Sequence, residues 1–372
     1  MRVIITVPWG QRLGGAEAML QGVLDGARDS PHEVELVFLQ PGPWPQELAD
    51  AGFRVEVLAA GRLRQVHRAV ATVLALARIF RRRRPEVILN WSAKTQLYAS
   101  PAAVLARMRD RVMWWQQGIP TPRSWLDRCA TALPTVAVGC YSRAAAHAQQ
   151  RLRPRRETFV VAAGAPVPGP GAGDVGSAAL PADVPVVGLV GRLQPWKGQD
   201  RLLDAQALLH QRGHAVHTVI VGGDAYGLSP EYASSLAPRA DRLGLGGAVT
   251  MTGQVPDAGP YIEQMDVLVN ASDPEPFGIV LLEGMARGVA VVAVDSGGPR
   301  EFIEAERTGM LARSGDPEAL ADALEPLLAS PELRRRIGEA GRECFLRDFT
   351  DVAMRRRFFH QLERFAAHPR RN

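Results

Sequence analysis

Glu275 and Glu283 flank the start of an expected helix in the segment Glu275-Pro276-Phe277-Gly278-Ile279-Val280-Leu281-Leu282-Glu283-Gly284-Met285-Ala286-Arg287-Gly288. Backbone amides at a helix start have no intrahelical partner and hold anions, and Gly278 lets a ligand come close to the backbone. A carboxylate on either side accepts hydrogen bonds from hydroxyls, so the segment suits a polyol that carries phosphate. The plainer reading is a turn followed by an apolar helix. Ile279, Val280, Leu281 and Leu282 read as buried packing, and an ionised Glu283 among them requires partners or a solvated opening.

A second cluster supplies the opposite charge. Gly191-Arg192-Leu193-Gln194-Pro195-Trp196-Lys197-Gly198-Gln199-Asp200 follows an apolar strand and leads into an expected helix at 201–211. Strand, turn and helix start together present two cations and free amides to a diphosphate. Lysine is otherwise nearly absent: of 44 basic residues, only Lys94 and Lys197 are lysines. Where arginine has taken almost every basic position, a retained ammonium reads as a compact point charge that its position needs.

The elements that must position these groups come in two series. Apolar runs at 3–7, 34–39, 55–58, 87–89, 112–115, 136–138 and 159–161 alternate with helix-length segments, as in a parallel sheet covered on both faces. The first connection, Trp9-Gly10-Gln11-Arg12-Leu13-Gly14-Gly15, ends in paired glycines before a helix at 16–27 and is a candidate phosphate or sugar loop. Between Gly164 and Pro185 the chain turns to Ala, Gly and Pro, the composition of a linker. The rhythm then restarts with runs at 186–190, 216–221, 249–251, 267–269 and 289–294, and becomes wholly helical beyond residue 314. The expectation is an α/β protein of two domains, 1–164 and 185–350, joined by a linker at 165–184. Open sheets of this kind bind ligands at the carboxyl ends of their strands, and two such domains make a cleft.

Composition narrows the classes. At 372 residues, 46% hydrophobic and 22% charged, the chain has the composition of a soluble globular protein of two domains. The net charge of +5 favours anionic substrates or surfaces, but aromatic residues are few and no Cys/His finger or RNP-like string occurs, which disfavours nucleic acid. Three scattered cysteines, Cys129, Cys140 and Cys344, lack metal-ligand spacing and point to a reducing compartment with each thiol in the core. Nothing approaches the roughly 18 apolar residues of a spanning helix, and the run at 3–8 is too short for a signal peptide, so a cytoplasmic location is expected.

The paired motifs GRLxxxKG and ExFGxxxxEGMARG, about eighty residues apart, resemble those of the retaining glycosyltransferases of family GT4 (glycosyltransferase group 1), which have the GT-B fold. The likeness spans most of the second domain, Gly14-Gly15, and a final helix at 351–372 that would pack back on the first domain. It implies a retaining transfer of a hexose from a nucleoside diphosphate sugar to a hydroxyl. Arg192 and Lys197 would neutralise the diphosphate, Glu283 would accept bonds from the ribose, and Glu275 would contact the sugar hydroxyls. Phe277, Gly278 and Ile279 would offer backbone amides, and Gly15, beside Gly14, would close over the diphosphate from the other domain. No cofactor or metal is expected, because fixed cations and helix starts stabilise the leaving group. No Asp-x-Asp triplet occurs.

The family usually places a histidine beside the sugar, where Trp114-Trp115-Gln116-Gln117-Gly118-Ile119-Pro120 carries Gln117. Glutamine donates and accepts hydrogen bonds but does not titrate near neutrality. Two alternatives therefore stand beside the transferase: a catalytically silent nucleotide-sugar-binding protein, which binds donor without turnover, and a sugar epimerase on the same fold, which needs no acceptor. His67, His147, His210 and His214 read as structural. Acceptor candidates are Trp9, Asn90, Lys94 and Ser142, each just after a strand of the first domain. The expected helix at 65–84 ends in four arginines on an apolar body, which allows peripheral contact with an anionic membrane. Cations at a helix C-terminus also suit its dipole without any membrane.

Overall fold

The computed structural model describes all residues except 13, 29, 62–63, 170–178, 314–315 and 368–372, together with the side chain of Tyr226. The centre of the expected linker and the end of the expected last helix therefore lie outside the described residues. The chain divides into two compact units, Met1–Ala162 with Met354–Asn372, and Ala163–Ala353.

The first unit runs β1 (Arg2–Val7), α1 (Gly15–Ala27), β2 (Glu33–Phe38), α2 (Pro43–Asp50), β3 (Arg54–Val57), α3 (Val66–Arg83), β4 (Val87–Asn90), α4 (Ala93–Leu105), β5 (Val112–Gln116), α5 (Trp125–Ala132), β6 (Ala137–Cys140), α6 (Arg143–Leu152) and β7 (Thr158–Val160). Its strands pair in the order β3-β2-β1-β4-β5-β6-β7, all parallel. Helices cover both faces of such a sheet, so β4, β5 and β6 are buried at every position and read as continuous apolar runs. One face packs Ile4, Val37, Ile88 and Val112 against Leu76 and Phe80 of α3 and Tyr98 and Ala102 of α4.

The second unit repeats the plan with β8 (Val186–Val190), α7 (Gln199–Gln211), β9 (His217–Val221), α8 (Pro230–Arg242), β10 (Val249–Gly253), α9 (Gly259–Ile262), β11 (Val267–Asn270), α10 (Ile279–Ala286), β12 (Ala290–Val294), β13 (Met310–Ala312), α11 (Pro317–Ala329) and α12 (Pro331–Asp348). The order is β10-β9-β8-β11-β12-β13, again parallel. Asp316 and Ser330 cap α11 and α12 through side-chain oxygens, each just ahead of a proline at the first helical position. The three-residue edge strand β13 escaped the sequence reading because Met310-Leu311-Ala312 carries no β-branched or aromatic residue to mark a strand.

The last helix, α13 (Asp351–Ala367), belongs to the first unit from Met354 onward. Met354, Phe358, Phe359, Leu362 and Phe365 are its buried positions. Phe358 lies 5.4 Å from Trp115 and 6.1 Å from Trp91, and Phe365 lies 5.2 Å from Phe159. Gly22 and Gly26 sit one turn apart on α1, where a methyl group would meet Met354 and Arg355.

Both sheets reverse their winding at one point, between β1 and β4 and between β8 and β11. At such a switch point the connections leave in opposite directions and open a crevice at the carboxyl ends. The two lysines of the chain stand there, Lys94 after β4 and Lys197 after β8.

Candidate active site

In the second unit, the loop after β8 tightens into a 3₁₀ turn at Pro195–Lys197 and closes through Gly198, whose φ of 74° is left-handed. A Cβ on Gly198 would lie 2.5 Å from the Ala271 carbonyl oxygen in the loop after β11. Only glycine lets the two loops approach so closely. Gly198→Ala is therefore expected to destabilise the protein by about 1–3 kcal/mol, read as a lower denaturant midpoint; unchanged stability would show that the approach carries no strain.

That approach brings Lys197 to Glu275. The ammonium stands 3.0 Å from Glu275 Oε2 and 4.1 Å from the centre of the Trp196 ring. Glu275 is 6% exposed. Asn270, the last residue of β11, donates to Glu275 Oε2 at 3.2 Å, and the Phe277 amide donates to Oε1 at 3.4 Å. Burial pushes the Glu275 carboxyl up, but the Lys197 charge and hydrogen bonds from Lys197, Asn270 and Ser272 outweigh it and hold it below the ordinary carboxylate range. Glu275 is thus a buried anion fixed by four donors.

The turn after Glu275 is held from behind. The Gly298 amide donates to the Glu275 carbonyl at 2.9 Å, and a Cβ on Gly298 would lie 2.5 Å from the Phe277 Cα. Ser296 donates to Asp273 at 2.8 Å. The Phe277 ring is 3% exposed, 5.2 Å from Phe302, and anchors the turn in the core. Sequence reading assigned Phe277, Gly278 and Ile279 as amide donors to a ligand; the Phe277 amide already serves Glu275. Gly278, at φ 96°, opens α10, whose first amides point outward without an acceptor four residues back.

Glu283 lies on α10 and is partly buried. Its carboxylate makes no hydrogen bond among the described residues. Burial raises its pKa to about 7, Arg287 draws it down, and Asp257 raises it further. Arg287 does not reach the carboxylate: it donates to the Glu283 carbonyl at 3.2 Å and to Glu263 at 3.3 Å. Arg192 is also partly exposed, and its guanidinium has no carboxylate partner among the described residues; its carbonyl accepts from Gln199 at 2.9 Å.

Arg201 was missed. It donates to the carbonyls of Ala271 and Trp196, tying the loops after β11 and β8 together beneath Gly198. The only signal in the sequence is a cation in the first turn of a helix, where the dipole disfavours it. Asn270 and the Ser296-Gly297-Gly298 loop were also missed, since their roles arise from strand order.

In the first unit the candidates divide. Lys94 lies 4.6 Å above the Trp9 ring, and burial holds its ammonium below the ordinary lysine range. Gln117 follows β5 and donates to the Trp91 carbonyl, which directs its amide group along the carboxyl edge of the sheet. Gly14 caps α1 in an extended conformation, with Gly15 exposed after it. Asn90 and Ser142, expected to face an acceptor, do not. Asn90 is fully buried, accepting from Thr6 at 2.8 Å and donating to Gln96 at 2.6 Å. Ser142 is fully buried and caps α6 by accepting from the Ala145 amide at 3.1 Å. Polar residues at a strand end serve the next helix start as readily as a ligand. Cys140 and Cys344 are buried, whereas Cys129 is exposed on α5, against the expectation of a core thiol. No group of three or more metal-ligating side chains occurs among the described residues.

Two doubly wound parallel sheets, the second with Lys197 and Glu275 paired at its switch point, follow the plan of the GT-B fold. Residues 175–344 match the family model described as glycosyl transferases group 1. That match falls within the second unit and spans under half of the chain. It is 27% identical over 350 residues to the lipopolysaccharide core biosynthesis glycosyltransferase LpsE of Rhizobium meliloti, covering 92% of this chain and 93% of that one. It is 37% identical over 159 residues to the D-inositol 3-phosphate glycosyltransferase of Segniliparus rotundus, covering 42% of this chain but only 35% of that relative. The fold matches the crystal structure of Anabaena HepE in complex with UDP-glucose, with a TM-score of 0.83, 24% identity, and 98% and 100% of the two chains covered.

Proposed function

We propose that this chain is a glycosyltransferase that moves a hexosyl group from a nucleoside diphosphate sugar to a hydroxyl acceptor with retention of configuration and without a metal ion. The Lys197–Glu275 pair at the switch point of the second sheet carries the reading. Lys197 and Arg192 offset charge that builds on the departing diphosphate, and the first amides of α10 add to them. Glu275 accepts hydrogen bonds from the sugar hydroxyls, and Glu283, ionised, accepts them from the ribose.

Retention then follows a front-side course. The bond from the anomeric carbon to the phosphate oxygen breaks, the acceptor oxygen bonds on the same face, and the acceptor proton passes to the departing phosphate oxygen. Glu275 is poorly disposed to attack, because donors already hold both of its oxygens. Gln117 positions groups by hydrogen bonding and takes no proton.

The Anabaena protein binds UDP-glucose, so UDP-hexoses are the first donors to try. A thermal-shift panel of UDP, GDP, ADP and their sugars is expected to single out one base, since a ligand that binds only the folded state raises its stability. NMR of the product with that donor should show the donor's anomeric configuration retained. Donor binding without turnover would replace the transferase with a silent binding protein, and an inverted product would remove the front-side course.

A further inference from the structure

Helix α3 carries a face that its packing leaves open. Val66, Val70, Leu74, Arg78 and Arg82 follow one another at four-residue spacing and form a single ridge. The three aliphatic residues are 68%, 52% and 42% exposed, while Leu76, Ala77, Ile79 and Phe80 bury into the core. Exposed aliphatic residues are unremarkable singly, but three on one ridge make a stripe.

The stripe is framed by positive charge. Arg64 and Arg68 flank its beginning, and Arg78, Arg81, Arg82 and Arg84 its end, all exposed, on a helix with no acidic residue. Arg82 pairs with Glu56 at 3.0 Å. Arg64, Arg68 and Arg78 pair with no carboxylate among the described residues. The helix dipole favours cations at the end of α3, yet it opposes those at the beginning, so it does not account for Arg64 and Arg68.

We propose that this face of α3 docks on an anionic lipid bilayer, with Val66, Val70 and Leu74 entering the headgroup layer and the unpaired arginines meeting lipid phosphates. Charge complementarity selects this occupant. A second copy joined through the same face would set arginine against arginine, and a nucleic acid would leave the aliphatic stripe in water. The proposal is independent of the transfer reaction.

Flotation of the full chain with phosphatidylcholine vesicles, with and without about 30% phosphatidylglycerol, tests it. The protein is expected to float with the anionic vesicles only, and less as salt rises. Leu74→Glu, and Arg68→Glu with Arg78→Glu, should each cut the bound fraction about tenfold or more at unchanged Tm, whereas Arg336→Glu on α12 should not. Should a charge reversal fail to fold, Leu74→Gln and Arg78→Gln make the same comparison. Absence of flotation, equal loss in the Arg336 variant, or a dimer in solution that Leu74→Glu dissolves would overturn it.

Discussion

Glu275→Gln is expected to lower kcat/KM by about 10²–10³-fold, with the larger part in kcat. Glutamine keeps the shape and one acceptor but removes the charge that fixes Lys197. The sugar hydroxyls would lose an anionic acceptor, and the buried ammonium would lose its counterion. Breaking one side of a buried pair also costs stability, about 3 kcal/mol where both partners are dry and less here, because the Lys197 side chain retains 17% exposure. Lys197→Met should show a comparable loss, and the double variant much less than the product of the two, since the residues act as a unit. Additive effects would mean that the pair is incidental. Mass spectrometry with a slow donor should find no sugar on Glu275; an adduct would replace the front-side course with a covalent one.

Donor affinity is expected to rise with pH through about 7 and then level off, because in the proposed role ribose hydroxyls bind the ionised form of Glu283, whose pKa burial raises to about 7. In a nucleoside diphosphate hexose both phosphates are esterified and keep constant charge across this range, so the titration belongs to the protein. Below the midpoint, affinity should fall toward tenfold per pH unit. The stability of the free protein should move the other way. The unfolded carboxyl ionises near its ordinary value of 4.5 and the folded one at about 7, so the folded form holds an extra proton between them and loses stability as pH rises across that window. Calorimetric titration from about pH 5.5 to 8.5 is the check, with Glu283→Gln expected to bind weakly and without pH dependence. A pH dependence retained in that variant would assign the titration elsewhere.

What the sequence made legible was local. Strand β8 stands at the bounds read from its apolar run, and the remaining expected strands came within one or two residues, because a strand buried on both faces is written as a nearly continuous apolar run. The charges of Arg192 and Lys197 and the helix start at Gly278 were equally plain, since each depends on neighbours along the chain. The Lys197–Glu275 pair spans 78 residues and exists because β8 and β11 lie side by side, which strand order decides and composition does not. Arg201, Asn270 and the Gly298 backing loop share that origin. Asn90 and Ser142 failed in the opposite sense: a polar residue at a strand end was read as facing outward, and the helix beginning beside it claimed the side chain.

The two lysines, each on a tryptophan face at the winding reversal of its own sheet, have a practical consequence. Apart from the α-amine, they are the only primary amines in the chain. Reductive methylation with a ¹³C label keeps their positive charge and places two lysine resonances in the spectrum beside that of the α-amine, both near an indole ring. Methyl-lysine NMR would therefore follow the proposed donor site through Lys197 and the first unit through Lys94 at the same time, in the wild-type protein and without engineered tags. Few chains of 372 residues come with one spectroscopic reporter already installed in each half.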